Sequence, residues 1–241
     1  MKLFITDYDG TLYNNDTELK ENIIMIKKLQ KMDFKIVIST GRSYPSIKNQ
    51  VDIHNIPYDY LSCADGSVIY DNKGDMLAMF PMDNKIIKPF QEFYKDLNYE
   101  EIQHVYPEGY SNILKDDNSE LLGINICMST INYTEELVNK FIKMSKNYPE
   151  YNFLNYMHPN YSYLCIKPKG ITKSSAINYL INKDNVLIKN TYVIGDSYND
   201  YEMIRDYDGV CMKTSCNEVL KISKKSYKTV RDYIIDIIKK S

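Results

Sequence analysis

The first dozen residues constrain the fold of this chain more than any other stretch. A short apolar run at residues 3–5 is typical of a buried strand, and it leads to two acids, Asp7 and Asp9, followed by Gly10-Thr11. In a parallel α/β sheet, chemistry collects beyond the carboxyl ends of the strands. Two like charges about 4 Å apart repel by roughly 4 kcal/mol near a protein surface. The motif therefore requires a compensating positive charge, for which a divalent metal ion is the natural candidate.

The order of predicted elements indicates an α/β protein with an insertion. Residues 1–80 give a β-α-β-α-β pattern followed by a hairpin, which is typical of an open parallel sheet. Residues 81–167 mix helices at 83–97 and 134–148 with short strands, including one at 111–114. The parallel pattern resumes over residues 168–241. We therefore predict a Rossmann-like parallel sheet core, residues 1–80 and 168–241, that carries an inserted α+β domain, residues 81–167.

Composition excludes several classes of function. Of the 241 residues, 44% are hydrophobic and 26% are charged, and the net charge is −2, so nothing favours a nucleic-acid partner or an anionic membrane. No stretch approaches the roughly 20 apolar residues of a membrane span, and the amino terminus enters a strand without the pattern of a signal peptide. Five cysteines without a C-x-x-C motif indicate free thiols in a reducing compartment. We expect a cytoplasmic protein that is a monomer or a weak homodimer.

Four polar groups follow predicted strands or begin predicted helices. In the first, a carboxylate of the Asp7–Asp9 pair can attack phosphorus while a second acid protonates the leaving oxygen. In the second, the Thr40 hydroxyl can bond a phosphoryl oxygen, with Gly41 and Arg42 beside it, although this is also ordinary turn chemistry. Lys173, at the start of a helix, suits an anion but is equally consistent with a surface lysine.

The fourth group is Gly195-Asp196-Ser197-Tyr198-Asn199-Asp200, directly after a strand. Its carboxylates and amide suit a hard cation such as Mg²⁺, although Asn199 and Asp200 are also common helix caps. The four groups together supply a nucleophile, an acid/base, a phosphate clamp and a metal site, which is the inventory that phosphoryl transfer needs.

This set of motifs resembles the haloacid dehalogenase-like (HAD) superfamily, and the inserted domain resembles the α/β cap (C2-type) of the Cof-type sugar-phosphate phosphatase branch. The resemblance covers essentially the whole chain. It implies that Asp7 is the nucleophile that becomes an aspartyl-phosphate and that Asp9 is the general acid/base. It implies further that Thr40, Lys173 and Asn199 contact the phosphoryl group, together with Gly41 and Arg42.

The resemblance also implies a Mg²⁺ site. Asp196 and Asp7 would bind the ion through their side chains, Asp9 through its backbone carbonyl, and Asp200 would support the metal shell. The expected activity is Mg²⁺-dependent hydrolysis of small phosphorylated metabolites, with sugar phosphates first among them.

Several alternatives stay open on the sequence alone. A phosphotransferase or mutase would use the same residues, and a receiver-like module would also cluster aspartates at strand ends, whereas a dehalogenase would have no use for the metal cluster.

Where Cof-type proteins usually carry Asn-Gly-Ala, this chain has Asp65-Gly66-Ser67. We therefore expect the carboxylate of Asp65 to alter the contacts that a substrate or product makes there. Candidate cap contacts, for which packing is the competing interpretation, are His104, Tyr106, His158 and Tyr161.

Overall fold

The computed structural model describes residues 1–115, 120–157 and 162–240. The chain forms two compact units: Met1–Met79 together with Thr172–Ser241, and Phe80–Ile171. The second boundary falls four residues after the predicted one, and the last strand before it ends at Pro168.

The first unit is a twisted sheet with helices in its crossovers. In chain order its strands and helices are β1 (Lys2–Thr6), α1 (Asp16–Gln30), β2 (Phe34–Ser39), α2 (Tyr44–Ile53), β3 (Tyr60–Cys63), β4 (Val68–Asp71), β5 (Met76–Met79), α5 (Lys173–Asp184), β11 (Thr191–Gly195), α6 (Tyr201–Asp206), β12 (Val210–Met212), α7 (Asn217–Ile222), β13 (Ser226–Tyr227) and α8 (Val230–Lys240).

The sheet order is β13-β12-β11-β1-β2-β3-β4-β5. Every pair from β13 to β3 is parallel, and β3-β4-β5 forms an antiparallel edge. β1 lies between β11 and β2, with Thr6 in register with Ile194 on one side and Ile38 on the other. This placement buries residues 3–5 completely and brings the ends of β1 and β11 to one edge of the sheet. The predicted parallel core is confirmed.

Helices α1 and α5 of this unit begin at side-chain caps. Asn15 accepts a hydrogen bond from the backbone N–H of Glu18 (3.0 Å) at the start of α1. At the start of α5, Thr172 and Ser175 form a reciprocal capping box. The capping box of α5 fixes the backbone at Lys173, the first residue of that helix.

The second unit contains an antiparallel sheet of order β7-β6-β8-β10-β9. Its elements are α3 (Ile87–Tyr94), β6 (Glu101–Tyr106), β7 (Gly109–Ser111), β8 (Gly123–Met128), α4 (Glu135–Ser145), β9 (Tyr151–Met157) and β10 (Ser162–Pro168). Its core joins the sheet to the two helices: the ring of Phe141 lies 6.2 Å from that of Phe90 and 5.0 Å from that of Phe153. The predicted α+β composition of this segment is confirmed.

One strand prediction in this unit is wrong. The predicted strand at 111–114 is instead β7, which ends at Ser111. The Ser111 hydroxyl donates to the carbonyl of Ile113 (2.6 Å) and accepts from its N–H (3.2 Å), so the chain turns there instead of extending. The flanking strand pairs through Tyr106 and Gly109, which close a tight hairpin.

Among the helices that the structure describes, none is both long enough and apolar enough to cross a membrane.

Candidate active site

Asp7 lies where β1 ends, at the switch point of the sheet. Its backbone N–H donates to the carbonyl of Ile194 (3.0 Å), which continues the ladder between β1 and β11 by one residue. Its side chain is buried, and Oδ1 accepts a hydrogen bond from Nζ of Lys173 (2.6 Å). Burial raises the pKa of Asp7 well above its usual range, against the opposing effect of the Lys173 charge.

Lys173 connects three parts of the sequence. Its side chain is fully buried, and its Nζ donates to Asp7 and to Oδ1 of Asp200 (2.7 Å). Burial alone would lower the pKa of Lys173, but the carboxylates of Asp200, Asp7 and Asp65 outweigh it and raise the pKa. Lys173 is therefore an ammonium held by charge pairing, not the surface lysine of the competing interpretation.

Asp200 shapes the loop that carries Asp196. While its Oδ1 pairs with Lys173, its Oδ2 accepts hydrogen bonds from the backbone N–H groups of Asp196 (2.8 Å) and Ser197 (3.0 Å). Both oxygens of this buried carboxylate thus have donors in the chain itself. Asp200 fixes Lys173 on one side and the backbone of the Asp196 loop on the other.

Asp196 is oriented by the opening motif. Oδ1 of Asp196 accepts a hydrogen bond from the Thr11 hydroxyl (2.6 Å). Gly10 has φ +82°, and a Cβ there would lie 2.7 Å from Oδ2 of Asp196, so only glycine fits this turn. Thr11 is a site residue that the sequence does not reveal by itself. The sequence signal for Thr11 is its position directly after Asp9-Gly10. Its hydrogen-bond partner, Asp196, is 185 residues away and cannot be identified from the sequence.

Three acids form a group suited to a cation. One carboxylate oxygen from each of Asp7, Asp196 and Asp200 lies within 4.8 Å of the other two. Burial is the main cause that raises the pKa of Asp196 to about 6, and the negative charge of Asp200 is the second. The group thus carries negative charge that the chain does not fully compensate. Oxygen-only donors with excess negative charge fit Mg²⁺. The residues present therefore fit the ion that the resemblance implies.

Asp9 lies apart from this group. Its carboxylate is about half exposed and pairs with the Arg42 guanidinium through two contacts, Nε–Oδ2 (2.7 Å) and Nη2–Oδ1 (2.6 Å). The guanidinium carbon of Arg42 lies 5.1 Å from the centre of the buried Tyr8 ring. Arg42, a predicted phosphate contact, is thus paired with Asp9, the predicted acid/base residue.

Thr40 and Gly41 follow β2 as predicted. The side chain of Thr40 is buried, and its Oγ1 accepts from the N–H of Arg42 (3.1 Å), which closes a tight turn. The carbonyl of Thr40 accepts from the N–H of Asp65 (2.9 Å). Asn199 donates from Nδ2 to Oδ1 of Asp65 (2.9 Å), so Asn199 reaches the loop that follows β3.

Two candidate cap contacts have structural roles. His104 is buried on β6 with Nδ1 3.2 Å from the carbonyl of Ser111, and burial lowers its pKa. The hydroxyl of the buried Tyr106 accepts from the N–H of Lys115 (2.9 Å). His158 and Tyr161 lie outside the described residues.

Comparisons with known proteins cover nearly the whole chain. The model of a family described as haloacid dehalogenase-like hydrolase matches residues 4–233. A Mycoplasma genitalium protein named as a phosphatase is 25% identical, over 97% of this chain and 93% of its own. A Bacillus subtilis 5-amino-6-(5-phospho-D-ribitylamino)uracil phosphatase is 23% identical, over 98% of this chain and 90% of its own.

Solved structures agree on the fold. A haloacid dehalogenase-like hydrolase from B. subtilis superposes with a TM-score of 0.81 at 18% identity, covering 100% of this chain and 99% of its own. A sugar phosphatase of HAD subclass IIB superposes with a TM-score of 0.77 at 17% identity, covering 100% and 98%. At such identities the likeness concerns the fold, and the fold predicted from the sequence is confirmed.

The raised pKa of Asp196 gives a prediction about stability. Its pKa is about 6 in the folded chain against 3.8 for an unperturbed aspartate, so the native state holds this proton more tightly. Ionisation of Asp196 therefore lowers the free energy of unfolding progressively as pH rises from about 4 to about 6. Above about pH 6 the loss is complete. Without Mg²⁺, we expect Asp196→Asn to stabilise the protein by about 3 kcal/mol near neutral pH and by much less at about pH 4.

Thermal unfolding at both pH values, with and without Mg²⁺, measures this effect. Mg²⁺ should raise the Tm of the wild type and of the control Asp75→Asn, whose side chain is exposed, but not that of Asp196→Asn. A variant that is less stable than the wild type near neutral pH, or that Mg²⁺ stabilises equally, would contradict the assignment.

Proposed function

The chain belongs to the haloacid dehalogenase-like hydrolase family, and on that basis we propose that it is a Mg²⁺-dependent phosphatase of small phosphorylated metabolites, with sugar phosphates as the leading class. The observation that supports this most is the buried Asp7–Lys173–Asp200 contact, at 2.6 and 2.7 Å, beside Asp196. It provides a carboxylate held for attack together with the charge that a phosphoryl group requires. The names of the relatives, a phosphatase and a sugar phosphatase among them, support the same class.

Asp7 would act as the nucleophile. Lys173 holds Oδ1, which fixes the carboxylate at the end of β1 so that its other oxygen can attack phosphorus. The ester P–O bond breaks as the aspartyl-phosphate on Asp7 forms. Water then attacks that phosphorus, releases orthophosphate and regenerates Asp7.

Asp9 would move the protons. It would protonate the leaving oxygen in the first step and take a proton from water in the second. The bidentate contact with Arg42 fixes the Asp9 carboxylate before it exchanges a proton. We therefore assign Arg42 the role of positioning Asp9 between steps. Thr40, Gly41, Lys173 and Asn199 would hold the phosphoryl oxygens.

Asp7 and Asp196, with the Asp9 backbone carbonyl, would hold Mg²⁺, which when bound would neutralise charge on the phosphoryl oxygens. The two oxygens of Asp200 already accept hydrogen bonds from Lys173 and the Asp196 loop, which favours a supporting role for Asp200. We further propose that the Phe80–Ile171 unit selects the leaving group, as an inserted cap would.

Removal of the nucleophile tests the proposal. The wild type should hydrolyse an aryl phosphate in Mg²⁺ and lose this activity in a chelator, and Asp7→Asn should lower kcat by at least about 10⁴-fold because a neutral amide does not attack phosphorus. Asp52→Asn, an exposed aspartate of α2, is the matched control and should retain full activity. Full activity in Asp7→Asn would refute the proposal, as would a wild type that forms a persistent phosphoprotein without turnover.

Loss of the buried ammonium tests the charge argument. Lys173→Gln leaves Asp7 and Asp200 without their counter-charge, and we expect kcat/KM to fall by about 10²–10³-fold, or about 3–4 kcal/mol of transition-state stabilisation. Steady-state kinetics on folded protein, verified by circular dichroism, measures the effect. The exposed Lys169→Gln is the control. A loss of less than about threefold would show that Lys173 has only a packing role.

A further inference from the structure

The turn that follows β3 carries a carboxylate whose effect the proposed mechanism does not use. Ala64–Gly66 form a tight turn, in which both Ala64 (φ 48°) and Asp65 (φ 53°) have left-handed backbone conformations. Such conformations are uncommon outside glycine and persist when the surrounding contacts enforce them. The position of Asp65 is thus imposed by its neighbours.

Those neighbours are the loop after β2 and the start of α5. The N–H of Ala64 donates to the carbonyl of Arg42, and the N–H of Asp65 donates to the carbonyl of Thr40, each at 2.9 Å. A Cβ on Gly66 (φ 97°) would lie 2.2 Å from the carbonyl of Thr172, so the turn packs closely against the residue before Lys173. The Asp65 side chain is therefore fixed relative to both loops.

The carboxylate of Asp65 lies among the groups assigned to the phosphoryl oxygens. Its Oδ1 accepts from Nδ2 of Asn199 at 2.9 Å, and it lies 3.1 Å from the point where a Cβ on Gly41 would be. Its charge is also among those that raise the pKa of Lys173. One negative charge thus lies against two of the four proposed phosphate contacts, Asn199 and Gly41, and acts electrostatically on a third, Lys173.

Two consequences follow for an anion at this position. One of the two N–H groups of the Asn199 amide is used on Asp65, which sets the plane of that amide and leaves one N–H for a ligand. The carboxylate also repels a phosphoryl dianion at short range, and this repulsion is stronger in a half-buried site than in bulk water.

We propose that Asp65 is a specificity-determining residue that weakens the binding of phosphoryl dianions to this site. The inference rests on the proposed function, because it concerns the same phosphoryl site. Bare orthophosphate, the product, then binds weakly and leaves readily, and affinity for a substrate must come from contacts to the rest of that substrate. Asp65 thereby moves selection from the phosphoryl group to the leaving group.

Calorimetric titration with orthophosphate in the presence of Mg²⁺ tests this without turnover. Asp65→Asn removes the charge, keeps the side-chain shape and suits a left-handed backbone, and it should bind orthophosphate about tenfold more tightly than the wild type. The gain should shrink as ionic strength rises, because charge repulsion is screened whereas a purely structural effect is not. Asp75→Asn is the control and should bind like the wild type.

A second variant guards against misfolding. Asp65→Gly tolerates the same backbone conformation and also lacks the charge, so it should gain affinity too. Unchanged or weaker orthophosphate binding in the two folded variants, no detectable binding in any protein, or a gain that is insensitive to salt would overturn the inference. A wild type without phosphatase activity would refute the proposed function, whereas a salt-sensitive gain in Asp65→Asn would still support the role of Asp65.

Discussion

The site depends on one buried ammonium. Lys173 has no exposed surface, and its Nζ contacts Asp7 and Asp200 at 2.6 and 2.7 Å. A buried lysine without such partners would deprotonate, and the two carboxylates without the lysine would repel each other. Removing one partner from a buried charge pair typically costs about 3–5 kcal/mol. The three charges stabilise one another, and they hold the candidate nucleophile, its counter-charge and the Asp196 loop together.

Sheet pairing assembles this unit from distant parts of the sequence. Asp7 and Lys173 are 166 residues apart, and Thr11 and Asp196 are 185 residues apart. The parallel pairing of β1 with β11 brings the two halves together, because both strands end at the same edge of the sheet. The Phe80–Ile171 unit is inserted between those halves in sequence. The site is therefore complete only when the whole sheet has formed, which ties activity to the folding of the first unit.

The sequence predicts more about strand ends than about contacts between side chains. The Asp7 motif, Thr40, Lys173 and Asp196 each adjoin a strand end or a helix start, so hydrophobic period and capping residues are enough to locate them. The pairing of Asp9 with Arg42, the Thr11–Asp196 hydrogen bond and the left-handed turn at Asp65 are tertiary features. They depend on which loops become neighbours, and no local pattern encodes that. The wrong strand at 111–114 has a different, local origin, since the side chain of Ser111 bonds the backbone of Ile113 and competes with the ladder.

In the proposed mechanism, Asp7, held by Lys173, attacks phosphorus before water does. The stereochemical course of hydrolysis tests this, with a phosphorothioate monoester that is chiral at phosphorus through its sulfur and two oxygen isotopes, hydrolysed in water that carries the third isotope. Two successive in-line displacements, first by Asp7 and then by water, predict retention of configuration in the released thiophosphate. Inversion would mean that water attacks in a single displacement, and it would rule out an aspartyl-phosphate on Asp7.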